Sequence, residues 1–288
     1  MRATQDHDDS VRWQAVTAIY AAKWKDTRST SALVSRLDDT NQCVRAGAAF
    51  ALGRLGAVEA APTLLERLKV SRQSPPLSGE EWRRQTAATA ARETEWGDWP
   101  AEARLPQYFP TDAMLRNRQR AELMSVLRPK DLDLRFGVGM GFTFERAAIG
   151  ALAEVNWRPA GEFLLKELGG ENHLAAFEAL RRLETPGLEQ TLLGLALDRQ
   201  ADGTKRGLAL NALGDLPVRD RVPDLLPLLD ETVVLVPLRQ GTDWRLCDHA
   251  AVVMAKLLGW QTTAKRLTEQ AWRDELIQKL RDWSPTKP

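Results

Sequence analysis

Small apolar residues recur along this chain at helical spacing, and then the whole set recurs. Val11, Arg12, Ala15, Ala18 and Ile19 return 33 positions later as Val44, Arg45, Ala48, Ala51 and Leu52. Adding 100 to the second set reaches Phe144, Ala148, Ala151 and Leu152, with Val155 on the same stripe, while Leu65 and Leu68 reach Leu165 and Leu168. The pattern of two alanines three apart followed by leucine continues at Ala176, Ala179 and Leu180 and at Ala209, Ala212 and Leu213, and in altered form at Ala250, Val253, Met254 and Leu257. A second apolar stretch follows each copy, at 32–37, 62–68, 159–168, 186–195 and 222–229. Proline near the start of several of these suits a helix's first turn. Gly53, Gly56, Gly214 and Gly259 stand at or near the ends of the first stretches, where a tight turn or left-handed cap is wanted. The unit is helix, short turn, helix, and the pattern predicts an all-α array with no appreciable sheet. Alanines on each first helix let a neighbour approach closely, and leucines on the second fill the layer between units. Repeats are expected at about 6–38, 39–70, 143–168, 170–197, 202–230 and 244–267 of a single array.

The best copy reads VRAGAAFALGRLGAVEAAPTLLERL. It resembles the HEAT repeat, especially the short bacterial kind called phycobilisome-lyase HEAT-like, over about three quarters of the chain. The resemblance implies a right-handed α-solenoid of stacked antiparallel helix pairs, and little about function. It also implies a structural role for Asp6 with Arg12 and for Asp39 with Arg45. In such repeats a turn carboxylate six residues before an arginine lets it meet an arginine of the stack.

Between residues 71 and 142 the period is lost. The segment carries Pro75-Pro76, Trp82, Trp96, Trp99 and LPQYFP at 105–110. Ser78 with Glu81 forms a capping box opening a helix to about Glu95, and Thr111-Asp112 caps another to about Leu127. Two readings stand open: a decayed repeat packing its aromatics on its neighbours, or an excursion forming part of a partner surface. For the second, the candidate partner-binding residues are Trp96, Trp99, Tyr108 and Phe109 with Arg116, Arg118 and Arg120, an aromatic and arginine composition typical of interface hot spots. A smaller irregularity, TVVLVPLRQGTDW at 232–244, adds about eight residues to the period and is expected to pack because it is apolar and β-branched. The glycines at 137, 139 and 141 follow no strand and precede no Lys-Ser/Thr, so they make no phosphate loop. Residues 268–283 read as a capping helix with Ala271, Leu276, Ile277, Leu280 and Trp283 inward and Glu269, Arg273, Asp274, Lys279 and Asp282 toward water.

Composition narrows the function classes. Forty basic and 39 acidic residues leave a net charge of +1, so no global field draws the chain to nucleic acid or an anionic membrane. At 43% hydrophobic and 27% charged, the chain folds rather than staying disordered. Cys43 and Cys247 read as buried thiols, and His7, His173 and His249 as surface or capping groups with no second ligand at i+3 or i+4. No catalytic residue, metal site or cofactor is indicated. Of the ten tryptophans, Trp244 and Trp272 fall in apolar helical surroundings, whereas Trp96 and Trp99 are expected on a loop. With no signal-peptide pattern and no apolar run of membrane-spanning length, the expected address is the cytoplasm. The expected trade is that of a non-catalytic scaffold or adaptor, monomeric by itself, that binds another protein through a concave face, through 71–142, or both. Two other classes stand beside it. One is a nucleic-acid protein similar to HEAT-like DNA alkylpurine glycosylases, which needs a basic concavity; here Glu66 stands beside Arg67, Glu162 near Lys166, and Glu189 has no basic neighbour at helical spacing. The other is an enzyme resembling bilin lyases of the same repeat class.

Overall fold

The structure, a computed structural model, describes residues 2–73, 143–236, 243–261 and 269–284. These are helical apart from turns and two short strands. In chain order the α-helices are α1 (Asp9–Ala21), α2 (Thr27–Ser35), α3 (Gln42–Leu55), α4 (Ala61–Gln73), α5 (Phe144–Glu154), α6 (Gly161–Lys166), α7 (His173–Arg182), α8 (Leu188–Leu197), α9 (Gly203–Gly214), α10 (Val222–Leu225), α11 (Leu246–Leu257) and α12 (Gln270–Arg281). Strands β1 (Val234–Val236) and β2 (Trp244–Arg245) pair antiparallel between α10 and α11. Where the sequence pattern suggests one array, the residues gather into two compact units. The described part of the first is 2–73, 143–166 and 174–185, and that of the second is 167–173, 186–236, 243–261 and 269–284.

Local chemistry sets the helix ends. Asp26 caps α2 by accepting the N–H groups of Arg28 and Ser29 at 2.9 and 3.0 Å. Asn41 caps α3 through Cys43 N–H, and Asp202 caps α9 through Thr204 N–H. At the other end, α1, α3, α5, α7 and α11 finish alike, on a left-handed residue followed by an N–H that reaches back five residues. The left-handed residues are Lys23 (φ 51°), Gly56 (72°), Asn156 (52°), Glu184 (51°) and Gly259 (75°). The returning bonds are Trp24 to Ile19, Ala57 to Leu52, Trp157 to Leu152, Thr185 to Leu180 and Trp260 to Ala255, at 2.8–3.2 Å. This is the Schellman ending, which satisfies carbonyls the helix would otherwise leave open.

In the first unit, the small residues predicted on the first helices form its seams. Gly47 of α3 lies so close under the Trp13 indole of α1 that a Cβ there would clash, and Trp13 is buried. Gly53, expected near a turn, is instead a close-approach position: a Cβ would fall 2.5 Å from Ala151 Cα on α5. Thus α3 has α5 as its next first-helix neighbour, although 88 residues lie between Leu55 and Phe144 in sequence. Ala51 and Ala48 are fully buried, but Ala18, their counterpart on α1, is exposed because no described helix covers that side.

In the second unit α8 packs on α9, α9 on α11, and α11 on α12. The pairing of β2 with β1 brings Arg245 to the start of α11. The 232–244 stretch is not packed throughout as its apolar character suggested: Val233 and Val234 are 44% and 48% exposed. On α12, Leu276, Ile277 and Leu280 turn inward as the period requires, but two assignments to faces fail. Arg273, placed toward water by the pattern, is 0% exposed, and Ala271, placed inward, is exposed.

Candidate interaction surface

At the N-terminal ends of the first helices, arginine ties one repeat to the next. Arg12, only 7% exposed, donates from Nε and Nη2 to the two carboxylate oxygens of Asp39 at 2.7 and 2.8 Å, and from Nη1 to the carbonyls of Asp6 and His7 at 3.0 Å. The six-residue spacing therefore does not pair Asp6 with Arg12 through side chains. The arginine grips its own turn by backbone oxygens and the following turn by its carboxylate. Arg45 likewise donates to the carbonyls of Asp39 and Thr40. Three residues before each alanine pair, the same place holds Arg206 in α9, which donates to the Ala196 carbonyl and pairs with Glu231 ahead of α11. Arg206 is legible in the sequence only through the period, its offset from Ala209 being that of Arg12 from Ala15. His173 occupies this place in α7 and is buried, its Nδ1 accepting Gly169 N–H at 2.9 Å, so it is a core group and not a surface one.

The second helices present paired charges. Arg67 meets Asp38 at 2.5 Å, Lys69 meets Glu66 at 2.8 Å and Lys166 lies 3.9 Å from Glu162. In the second unit Glu189, expected to lack a basic partner, pairs with Arg221. A shallow depression of about 290 Å³ lies on the α2 side, lined by Thr27, Thr30, Ser31, Val34, Ser35 and Glu59. It is largely uncharged.

The opposite ends of the first helices form a row of turns. Glu154 binds both Arg54 and Arg182, at 3.7 and 2.9 Å, and Arg158 binds Glu184 at 3.4 Å. The first turn of the row differs. Lys23, Trp24, Lys25 and Arg28 are all exposed there, Trp24 by 49%, and none of the three cations has an ion pair among the described residues. Nothing singled out Trp24 in the sequence, because its exposure follows from its place after a left-handed residue.

In the second unit a buried polar cluster joins α11 to α12. The Trp244 indole N–H donates to His249 Nδ1 at 3.1 Å, which leaves Nε2–H to donate to the Gly207 carbonyl at 3.1 Å. Asp248, fully buried, accepts from the backbone, Nε and Nη2 of Arg245, and Arg273 Nε lies 3.4 Å from it. Arg273 also covers the Trp244 ring at 5.3 Å. His249 is thus interior, contrary to the surface reading. Burial pushes its pKa down to about 4, opposed by the Gly207 carbonyl and Asp248. Above pH 6.5 the group is neutral folded and unfolded alike; below it only the unfolded chain takes the proton. Stability is therefore expected to fall between pH 6.5 and 4 by up to about 3 kcal/mol, a loss that His249→Gln should blunt in urea melts at pH 7.5 and 5. Cys43 and Cys247 are buried as expected, and burial pushes the Cys43 thiol up to about 12, far from a reactive thiolate.

Trp96, Trp99, Tyr108, Phe109, Arg116, Arg118 and Arg120 lie outside the described residues, as do the glycines at 137–141. Among the described residues no helix is long and apolar enough to cross a membrane.

Residues 2–75 match the family described as HEAT repeats. No protein of assigned function matches the sequence significantly. Among solved structures, the complex of CpcE and CpcF of phycocyanin lyase from Nostoc sp. PCC7120 is similar over 97% of this chain and 92% of that one, at 17% identity. Its TM-score of 0.29 makes this too loose a superposition to inform function.

Proposed function

We propose that this HEAT-repeat protein is an interaction module, a scaffold or adaptor with no catalytic activity of its own, that binds another protein through its second-helix layer, through residues 71–142, or through both. The observation that carries the reading is how the ionisable groups are used. The buried ones are committed to holding repeats together: Arg12 to Asp39, Arg206 to Glu231, Arg273 to Asp248. Repeat proteins divide their surface in this way, with stacking inside and extended recognition outside. The nucleic-acid reading is weaker because Arg67, Lys69 and Arg221 of the second-helix layer are matched by carboxylates, whereas duplex binding needs cations free to neutralise several phosphates.

The test is affinity capture from the cells the protein comes from, identification of bound chains by mass spectrometry, and reconstitution of each candidate from purified components. It is run with the full chain and with residues 71–142 deleted. A saturable one-to-one complex lost on deletion assigns binding to that segment, and one that survives assigns it to the helical layers. Absence of any saturable complex from the purified components would overturn the proposal.

A further inference from the structure

The row of turns closing the first helices is electrically balanced everywhere in the first unit except at its start. At the later turns each cation has its carboxylate: Arg54 and Arg182 share Glu154, and Arg158 has Glu184. At the first turn, residues 23–28 carry Lys23, Lys25 and Arg28 against one carboxylate, Asp26. That carboxylate is already engaged, accepting from the Arg28 and Ser29 N–H groups and from the Ser29 hydroxyl at 2.8 Å. Three exposed cations therefore stand within four residues of an indole that is itself half exposed.

The indole's presentation is built in. Trp24 follows Lys23, a non-glycine residue held at φ 51°, and its own N–H is fixed to the Ile19 carbonyl at 3.2 Å. At the same place the second repeat puts Ala57, which is buried, and the other described tryptophans there are covered further: Trp157 is half-buried, and Trp260 lies beneath the Lys279 ammonium at 4.2 Å. Among the described turns of this row, the first leaves its aromatic outward with a cation on either side in sequence, neither of them in an ion pair among the described residues. Thr27, two residues beyond Lys25, begins the depression of about 290 Å³ on the α2 side, where Thr30, Ser31, Val34 and Ser35 are uncharged and Glu59 is the one charged lining residue.

Building on the reading as an interaction module, we infer that the turn formed by Lys23, Trp24, Lys25 and Arg28 is a docking point for an acidic, extended segment of a protein partner. An apolar side chain of that segment lies against the Trp24 ring, and its chain continues over the α2 depression. Charge complementarity selects the acidic class. The alternation along the row selects protein over nucleic acid. A phosphate backbone following the turns would leave these cations and meet Glu59, Glu154 and Glu184, whereas a peptide needs only a few carboxylates at one end. An aromatic anchor ringed by cations is also a hot-spot composition, in which truncating one side chain removes a large share of the affinity.

The test uses a fluorescein-labelled twelve-residue peptide of aspartate and glutamate with one central leucine, measured by anisotropy against the full chain, Trp24→Ala and Lys25→Glu. Both positions are exposed, so the variants should melt as the parent does, which separates lost binding from lost fold. Saturable binding that weakens with salt and falls at least about tenfold in each variant is the expected result. Three results would each overturn the site: no peptide binding, equal binding by both variants, or tighter binding of a single-stranded oligonucleotide or of vesicles containing phosphatidylserine. A purified partner complex that survives both substitutions likewise overturns it, while leaving the interaction reading intact.

Discussion

Alanine at Gly53 is expected to destabilise the first unit, and leucine there to prevent its folding. A Cβ at this position falls 2.5 Å from the Ala151 Cα and 2.7 Å from its Cβ. The obstacle is backbone, which cannot swing aside as a flexible side chain could. Overpacking a well-filled core typically costs about 1–3 kcal/mol, and helix backbones in contact leave little means of relief. Because each repeat is held mainly by its neighbours, moving α3 away from α5 loosens both sides of the seam. Gly150 of α5 supplies the control: it is exposed, nothing lies within 4 Å of an added Cβ, and Gly150→Ala should therefore stabilise by about 0.5–1 kcal/mol through backbone entropy alone. The two glycines thus predict melting shifts of opposite sign for one chemical change. Pairing Gly53→Ala with Ala151→Gly should recover only part of the loss, because it removes the methyl group at 2.7 Å and leaves the Cα at 2.5 Å. Equal shifts for Gly53→Ala and Gly150→Ala would show that α3 and α5 do not meet as described.

How much of this could be read from the sequence follows from which forces leave a periodic trace. Close packing does: the alanines at 48 and 51 and their counterparts at 148 and 151 repeat because every first helix needs the same small face, although an offset of 100, about three periods, does not foretell that α5 stands directly next to α3. Pairing across the stack leaves only half a trace. The six-residue interval between Asp39 and Arg45 is visible, but the carboxylate that Arg12 holds is the one 27 residues ahead, a contact set by stacking and not by spacing within a repeat. Amphipathic sorting misplaced Arg273 because it assigns every charge to water, and only the fold brings Asp248 to it. His249 was misread for the same reason: the groups that satisfy it, Trp244 and Gly207, come from other elements. The Trp24 turn left no compositional signal, since exposure of one indole depends on a left-handed residue before it. The aromatic and arginine candidates between 96 and 120 lie outside the described residues.

Asp248→Ala is expected to cost about 3–5 kcal/mol in urea unfolding of the second unit, because it removes the carboxylate buried with the Arg273 guanidinium. Both residues are 0% exposed, and Asp248 is also what the Arg245 backbone, Nε and Nη2 donate to. Arg245 retains Asp274 at 2.7 Å, and Arg273 retains its bonds to the Gln270 amide oxygen and the Asp243 carbonyl and its place over the Trp244 ring. Asp274→Ala should by contrast cost under about 1 kcal/mol, since its side chain is 54% exposed and an exposed ion pair is screened by water. Replacing both members together, Asp248→Leu with Arg273→Met, should recover most of the loss, because an apolar pair of similar bulk carries no desolvation penalty. If the pair is what seats α12, the single variant must also mimic the loss of the helix. A chain shortened to end at Leu267 uncovers the face of Met254 and Leu258 that the α12 residues Leu276, Ile277 and Leu280 adjoin, and it should associate as concentration rises. Light scattering that finds the Asp248→Ala protein associating in the same way, and the double variant monomeric, would establish that a buried ion pair holds the terminal helix in place. A shortened chain that stays monomeric and melts like the full one would show instead that α12 is not the cover of this unit.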